Sequence, residues 1–303
     1  MKHNAFVTIL LTALFVCTQL TGLGLIAHAM DVAVAEDGTI SVSYPDTAIG
    51  ERPETQGASS FLLLVIGVGV GTLILLLLIK FRQVLVWKVW YFLAVSMTIA
   101  VAIGALTPVW AALIAGVGLA AWKIFRPNVI IHNLTELLVY AGIALLISPL
   151  LNVFWVSAVL IAFALYDLYA VFKSKHMIAM AQFQTDSKLF AGMMIPYEKN
   201  KLSANISTKP AKKSSGKAKS AILGGGDLAL PLIFSGVVLH WLVEQGMSVG
   251  VAFLYTLIVV ATSTLALFGL FWYAKKDRFY PAMPPIAAGC FVGLGIVWVL
   301  LLI

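Results

Sequence analysis

Residues 221–232 read AILGGGDLALPL, and a mostly apolar run continues to Val243. A carboxylate at the head of such a run, Asp227, belongs inside a membrane. There an ionisable side chain costs about 2.5–3.5 kcal/mol and usually marks function. The rest of the chain supports that setting. It has 303 residues, of which 61% are hydrophobic and 11% charged, too apolar for a soluble domain to bury. A span needs about 20 apolar residues. Candidates lie at 5–26, 61–79, 89–106, 109–124, 129–147, 152–172, 221–243, 249–273 and 284–303. They are too long and too uniformly apolar for barrel strands. The expected fold is an all-α polytopic membrane protein with nine transmembrane helices. It forms a single membrane-embedded domain over 1–303: six spans in 1–172, a loop at 173–220, and three spans in 221–303.

A net charge of +7 would suit nucleic acid, but the placement of the charge argues otherwise. Cytoplasmic loops collect Lys and Arg. With the N-terminus cytoplasmic and the C-terminus outside, every one of the 20 basic residues except Arg52 falls on the inner side. The 30–60 segment, with Asp31, Glu36, Asp37, Asp46, Glu51 and Glu54, is the acidic outer counterpart. The positive charge is therefore a topology signal. The expected partner is the lipid bilayer of the cell membrane, not nucleic acid. Residues 1–29 resemble a signal peptide ending in Ala27-His28-Ala29, yet their apolar run is long enough for an uncleaved span. Residues 176–198 are mildly apolar and either extend a helix or lie on the membrane surface. Residues 199–220 are Lys/Ser-rich and solvated. Their SSGKAKS stretch lacks the first glycine of a phosphate-binding loop. Cys17 and Cys290 each stand alone in an apolar segment, which predicts packed thiols. His3, His28, His132, His176 and His240 show no zinc spacing. No metal and no cofactor are expected.

Three acids fall within spans: Glu136, Asp167 and Asp227. Asp167 precedes Lys173 by six residues and Asp227 follows Lys219 by eight. At about 1.5 Å rise per residue, both reach a similar depth on the inner side. Two carboxylates that meet share one proton and titrate as a unit. That arrangement lets one take a proton from water while the other polarises a scissile carbonyl. A proton relay, an ion site or an interhelical hydrogen bond would use the same residues. Gly224, Gly225 and Gly226 permit close backbone approach, either for helix packing or for an extended substrate. The Gly67/Gly71 and Gly289/Gly293 spacings predict helix-packing pairs. Pro281, Pro284 and Pro285 interrupt or start the last span on the inner side.

Tyr166-Asp167, Gly224-Gly225-Gly226-Asp227 and Pro281-Ala282-Met283-Pro284 resemble, in that order, the YD, GxGD and PAL elements of the GxGD intramembrane aspartyl proteases. That family comprises the presenilins, the signal peptide peptidases and archaeal homologues. Met283 departs from the usual Leu but is similar in size. The resemblance implies a catalytic Asp167/Asp227 pair supported by Tyr166 and the three glycines. It also implies that Pro281, Ala282, Met283 and Pro284 help admit substrate. Implied substrates are single-span membrane proteins or signal peptides, cut toward the cytoplasmic side. The derived orientation is presenilin-like. A proton- or cation-coupled transporter is the alternative reading. It would use both aspartates and Glu136, which has His132 one helical turn before it.

Overall fold

The structure is a computed structural model that describes residues 5–36, 38–53, 55, 57–81, 83–174, 189–196, 220–274 and 280–303. Most of the 173–220 loop and the Lys275/Lys276/Arg278 cluster lie outside the described residues.

Helix α1 (Ala5–His28) leads into a hairpin of β1 (Asp31–Val34) and β2 (Ile40–Ser43). Then come α2 (Ala58–Lys80), α3 (Val84–Gly104), α4 (Val109–Phe125) and α5 (Val129–Ile147). A 3-10 turn (Ser148–Leu150) precedes α6 (Val153–Tyr169), which runs on into a π turn (Ala170–Ser174). Strands β3 (Gly192–Pro196) and β4 (Ser220–Gly224) follow, then α7 (Gly225–Glu244), α8 (Val249–Tyr273) and α9 (Met283–Leu301). Among the described residues, eight helices are long and apolar enough to cross a membrane. The ninth, α4, is 17 residues long. Helix starts follow local chemistry. The Asn128 side chain accepts from the Ile130 amide at 2.8 Å to cap α5, and Asn152 accepts from Trp155 at 3.0 Å to cap α6.

Two expectations need correction. Residues 221–224 are not part of the seventh span. Gly224 is extended (φ −63°, ψ 148°) and closes strand β4, so the helix begins at Gly225. Residues 192–196, expected in a surface or helical segment, form the buried strand β3, which pairs antiparallel with β4.

The central helix is α7. From Leu228 to Val243 nearly every residue is buried, against α1, α5, α6, α8 and α9. A helix apolar all round must be enclosed in this way. At the periphery lies α2, where Ser60 is the one buried side chain among the described residues. The predicted Gly67/Gly71 packing pair is therefore wrong: a Cβ at either position would meet nothing within 4 Å. Gly289 and Gly293 do pack, against Thr262, Ser263 and Val259 of α8. A closer approach occurs at Gly142 of α5, where a Cβ would overlap the Thr98 carbonyl of α3.

Arg52, the exception to the charge pattern, has a structural task. Its Nε donates to the Pro45 carbonyl and its Nη1 to the Leu145 carbonyl, both at 2.9 Å. It thereby pins the segment after β2 to an orphan carbonyl in the last turn of α5. Its guanidinium also stands 5.3 Å from the Tyr44 ring centroid. Burial pushes the Tyr44 phenol well above its ordinary pKa.

Gly142→Ala should destabilise the purified protein by about 1–3 kcal/mol through overpacking. Gly67→Ala should leave stability unchanged or raise it slightly, since alanine favours helix and nothing obstructs it. Thermal denaturation in detergent distinguishes the two.

Candidate active site

Each of the three sequence elements is placed on a different helix, and those helices pack pairwise: α6 with α7, α6 with α9, and α7 with α9. Tyr166 and Asp167 lie in the last turn of α6. Asp227 lies in the first turn of α7, where Gly224 is the N-cap. Pro281 and Ala282 precede α9, and Met283 and Pro284 open it.

Asp167 is joined directly to the third element. Its Oδ2 accepts from the Met283 backbone amide at 3.1 Å. That amide is one of the donors at the α9 N-terminus that the helix itself cannot satisfy. No side chain caps α9 from Ala282, so Asp167 supplies the acceptor from another helix. The prolines mark a regular helix start. The Met283 side chain is buried, whereas Tyr166 is exposed on the α6 surface.

The three glycines have different surroundings. A Cβ on Gly224 would come 3.1 Å from Asp227 Oδ2. One on Gly225 would come 2.7 Å from the Tyr140 hydroxyl. Gly226 is exposed, and a Cβ there would meet nothing within 4 Å. One turn further on, Pro231 removes the amide that would pair with the Asp227 carbonyl. The Gln19 side chain of α1 donates to the neighbouring Leu228 carbonyl at 3.1 Å.

Strand β4 reaches Asp227 directly, and β3 fixes β4. The register pairs Gly192 with Gly224, Met194 with Ile222 and Pro196 with Ser220. In an antiparallel ladder, alternate residues turn their amide and carbonyl to opposite edges. Gly192 and Met194 turn theirs toward α5, whose side chains receive them as a third strand would. The Gly192 amide donates to Glu136 Oε2 at 3.0 Å, and its carbonyl accepts from His132 Nε2 at 2.8 Å. The Met194 amide donates to Asn133 Oδ1 at 3.0 Å, and Asn133 Nδ2 returns a bond to the Met194 carbonyl at 2.9 Å. By the same alternation, Ile222 turns its amide and carbonyl, and Gly224 its amide, toward the far edge of β4, while the carbonyl of the N-cap Gly224 serves the first turn of α7. No further strand covers that edge among the described residues. Gly192 has φ +145°, and a Cβ there would meet the Leu223 carbonyl at 2.5 Å, so only glycine fits.

Glu136 is fully buried and engaged on both oxygens. Lys123 and Tyr140 hydrogen-bond to it, and the Tyr91 hydroxyl stands 3.3 Å away, between Oε1 and the Phe190 carbonyl. Lys123, counted only among the inner-side charges, is buried as the ion-pair partner of Glu136. These bonds remove the support that Glu136 lent to a transporter, because the carboxylate holds a strand in place. Removing one partner of such a pair costs about 3–5 kcal/mol. Sequence reasoning missed Lys123, Asn133, Tyr140 and Gly192. The clustering of His132, Asn133, Glu136 and Tyr140 at helical spacing was the available signal.

Residues 12–302 match the family model described as signal-peptide peptidase, presenilin aspartyl protease. The chain belongs to this family. Its members are intramembrane aspartyl proteases, which makes this protein a hydrolase embedded in the membrane. Two crystal structures of a presenilin family intramembrane aspartate protease share the fold. For one, in space group C222, the TM-score is 0.60 at 17% identity, covering 97% of this chain and 99% of that one. For the other, in space group P2, the TM-score is 0.55 at 18% identity, covering 96% of each chain. No curated protein matches the sequence. Between this presenilin-type chain and its structural neighbours the fold is retained although fewer than one residue in five is identical.

Gly225→Ala should cost stability, because the Tyr140 ring must move away from the start of α7. Gly226→Ala should not. Melting temperatures of the two variants beside wild type check this, with a separation of several degrees expected for a difference of about 1–3 kcal/mol.

Proposed function

We propose that Asp167 and Asp227 are the catalytic dyad, and that the protein hydrolyses peptide bonds within transmembrane segments of other membrane proteins. The observation that carries this reading is the seating of Asp167 on the Met283 amide of α9, with Asp227 in the first turn of α7 and the three helices packed together. The two carboxyls share one proton. The ionised one takes a proton from water as the water oxygen attacks the scissile carbonyl carbon. The protonated one gives its proton to the carbonyl oxygen, forming a gem-diol. Collapse then breaks the C–N bond as the leaving amine takes the proton acquired from water, and one gem-diol hydroxyl returns its proton to the other carboxylate, which restores the singly protonated pair.

A peptide bond inside a helix is shielded, so substrate must be extended at the cut. The far edge of β4, with the Ile222 amide and carbonyl and the Gly224 amide, is where such a segment adds as a strand. Exposed Gly226 leaves room for its backbone beside Asp227. Tyr166 and the glycines 224–226 support the dyad, and the Pro281–Pro284 element borders the entry route. The charge pattern places the N-terminus and the active site on the cytoplasmic side. Substrates then run from an outer N-terminus to an inner C-terminus.

The test is reconstitution in vesicles with single-span substrates of both orientations. Wild type should cut within the span of substrates with an outer N-terminus. Asp167→Ala and Asp227→Ala should each lower cleavage to background. Cleavage by either variant, or ion or proton flux by a wild type that never cuts, refutes the dyad. Efficient cutting of only the opposite orientation refutes the topology.

A further inference from the structure

The buried polar groups of α5 form a bracket that ends at the active site. Lys123 of α4 holds Glu136 from one side and Tyr140 holds it from the other. Glu136 in turn accepts the Gly192 amide. Gly192 is in register with Gly224, the N-cap of the helix that carries Asp227. A second path is shorter. The Tyr140 hydroxyl packs at Gly225, two residues before Asp227. Both paths start from one carboxylate and arrive at adjacent residues, Gly224 and Gly225, where α7 begins.

We propose that Glu136, held by Lys123, is a positioning residue for the proteolytic reaction. It sets the β3–β4 hairpin and the first turn of α7, and so the place of Asp227 and of the strand edge that receives substrate. Glu136 does not touch the reacting atoms. It acts through Gly192 and Tyr140. This proposal rests on the Asp167/Asp227 reading above.

Three properties favour positioning over plain packing. First, the carboxylate accepts a strand amide, a bond that fixes direction as well as distance. Second, the strand it grips makes its remaining outward bonds to His132 and Asn133. The α5 face thus specifies one register, and a slip of one residue would turn every β3 side chain over. Third, a misplacement of about 1 Å at a reacting group can cost about 100-fold in rate, so loss of this bracket need not unfold the protein to stop the reaction.

The experiment compares purified, reconstituted full-length variants. Glu136→Gln alone leaves the Lys123 ammonium unpaired in an apolar interior and risks misfolding. Lys123→Met/Glu136→Gln removes both charges together and keeps the side-chain volumes close. Lys123→Arg keeps the charge. Hydrogen–deuterium exchange is followed in peptides covering 192–196 and 220–224, alongside kcat, KM and melting temperature.

The double variant should melt within a few degrees of wild type. Both strand segments should exchange faster, and kcat should fall by about 100-fold. Lys123→Arg should restore slow exchange and keep most of the activity. Unchanged exchange in both strands, or faster exchange with kcat retained, overturns the proposal. So does a loss of activity that tracks only a loss of folded protein. Cleavage by Asp227→Ala points to a different failure, that of the dyad itself. The exchange result, which needs no activity, still reports whether Glu136 holds the hairpin.

Discussion

A strand placed within a membrane protein has backbone amides and carbonyls that lipid cannot satisfy. That constraint governs the arrangement around Asp227. A helix satisfies its backbone internally; β3 and β4 must find partners for both edges. They pair with each other on the inner edge. On the outer edge of β3, α5 supplies side chains at the spacing of a third strand, with Asn133 bonding both backbone groups of Met194. Among the described residues no strand pairs with the outer edge of β4, which adjoins the glycines that open α7. That edge and the proposed catalytic carboxylate are neighbours in sequence because one junction, strand into helix, creates both.

The Lys123–Glu136 pair belongs to the same problem. A buried ion pair is weak evidence for stability, since apolar residues of similar volume often serve as well. Its worth here is directional. A carboxylate with two oxygens accepts from the Gly192 amide, Tyr140 and Lys123 at once, which no apolar group can do. Lys123 sets the opposite charge beside that carboxylate, so the acceptor that the strand requires is held by an ion pair as well as by hydrogen bonds.

Much of the architecture was legible in the sequence, because lipid imposes a minimum run of apolar residues that can be counted. The limits of α8 agree with the structure residue for residue, as do those of α5. Arg52, an exception to the charge pattern, resolved into a tether for α5. What was not legible depended on tertiary partners. Gly67 and Gly71 have the spacing of a packing pair, but α2 lies at the edge and gives them no neighbour. Strands β3 and β4 escaped notice because each is five residues long and the residues between them are polar or mixed. Lys123 was counted only as an inner-side charge because nothing in α4 shows that Glu136 of the next helix lies beside it. The aspartates were singled out by depth and spacing, whereas the bond from Met283 to Asp167 required coordinates.

That bond joins two elements 116 residues apart. Asp167 is tied to the start of α9, whereas Asp227 is tied through the hairpin to α5. The two proposed catalytic groups therefore answer to different parts of the bundle. On the proposed reading, a strand added along β4 bears on the α5 side, and a chain passing the Pro281–Pro284 segment bears on the α9 side. On that reading only a substrate that engages both adjusts both carboxylates together. Selection for an extended segment and alignment of the proposed dyad are then one event, because the β4 backbone proposed to receive substrate is continuous with the backbone that carries Asp227.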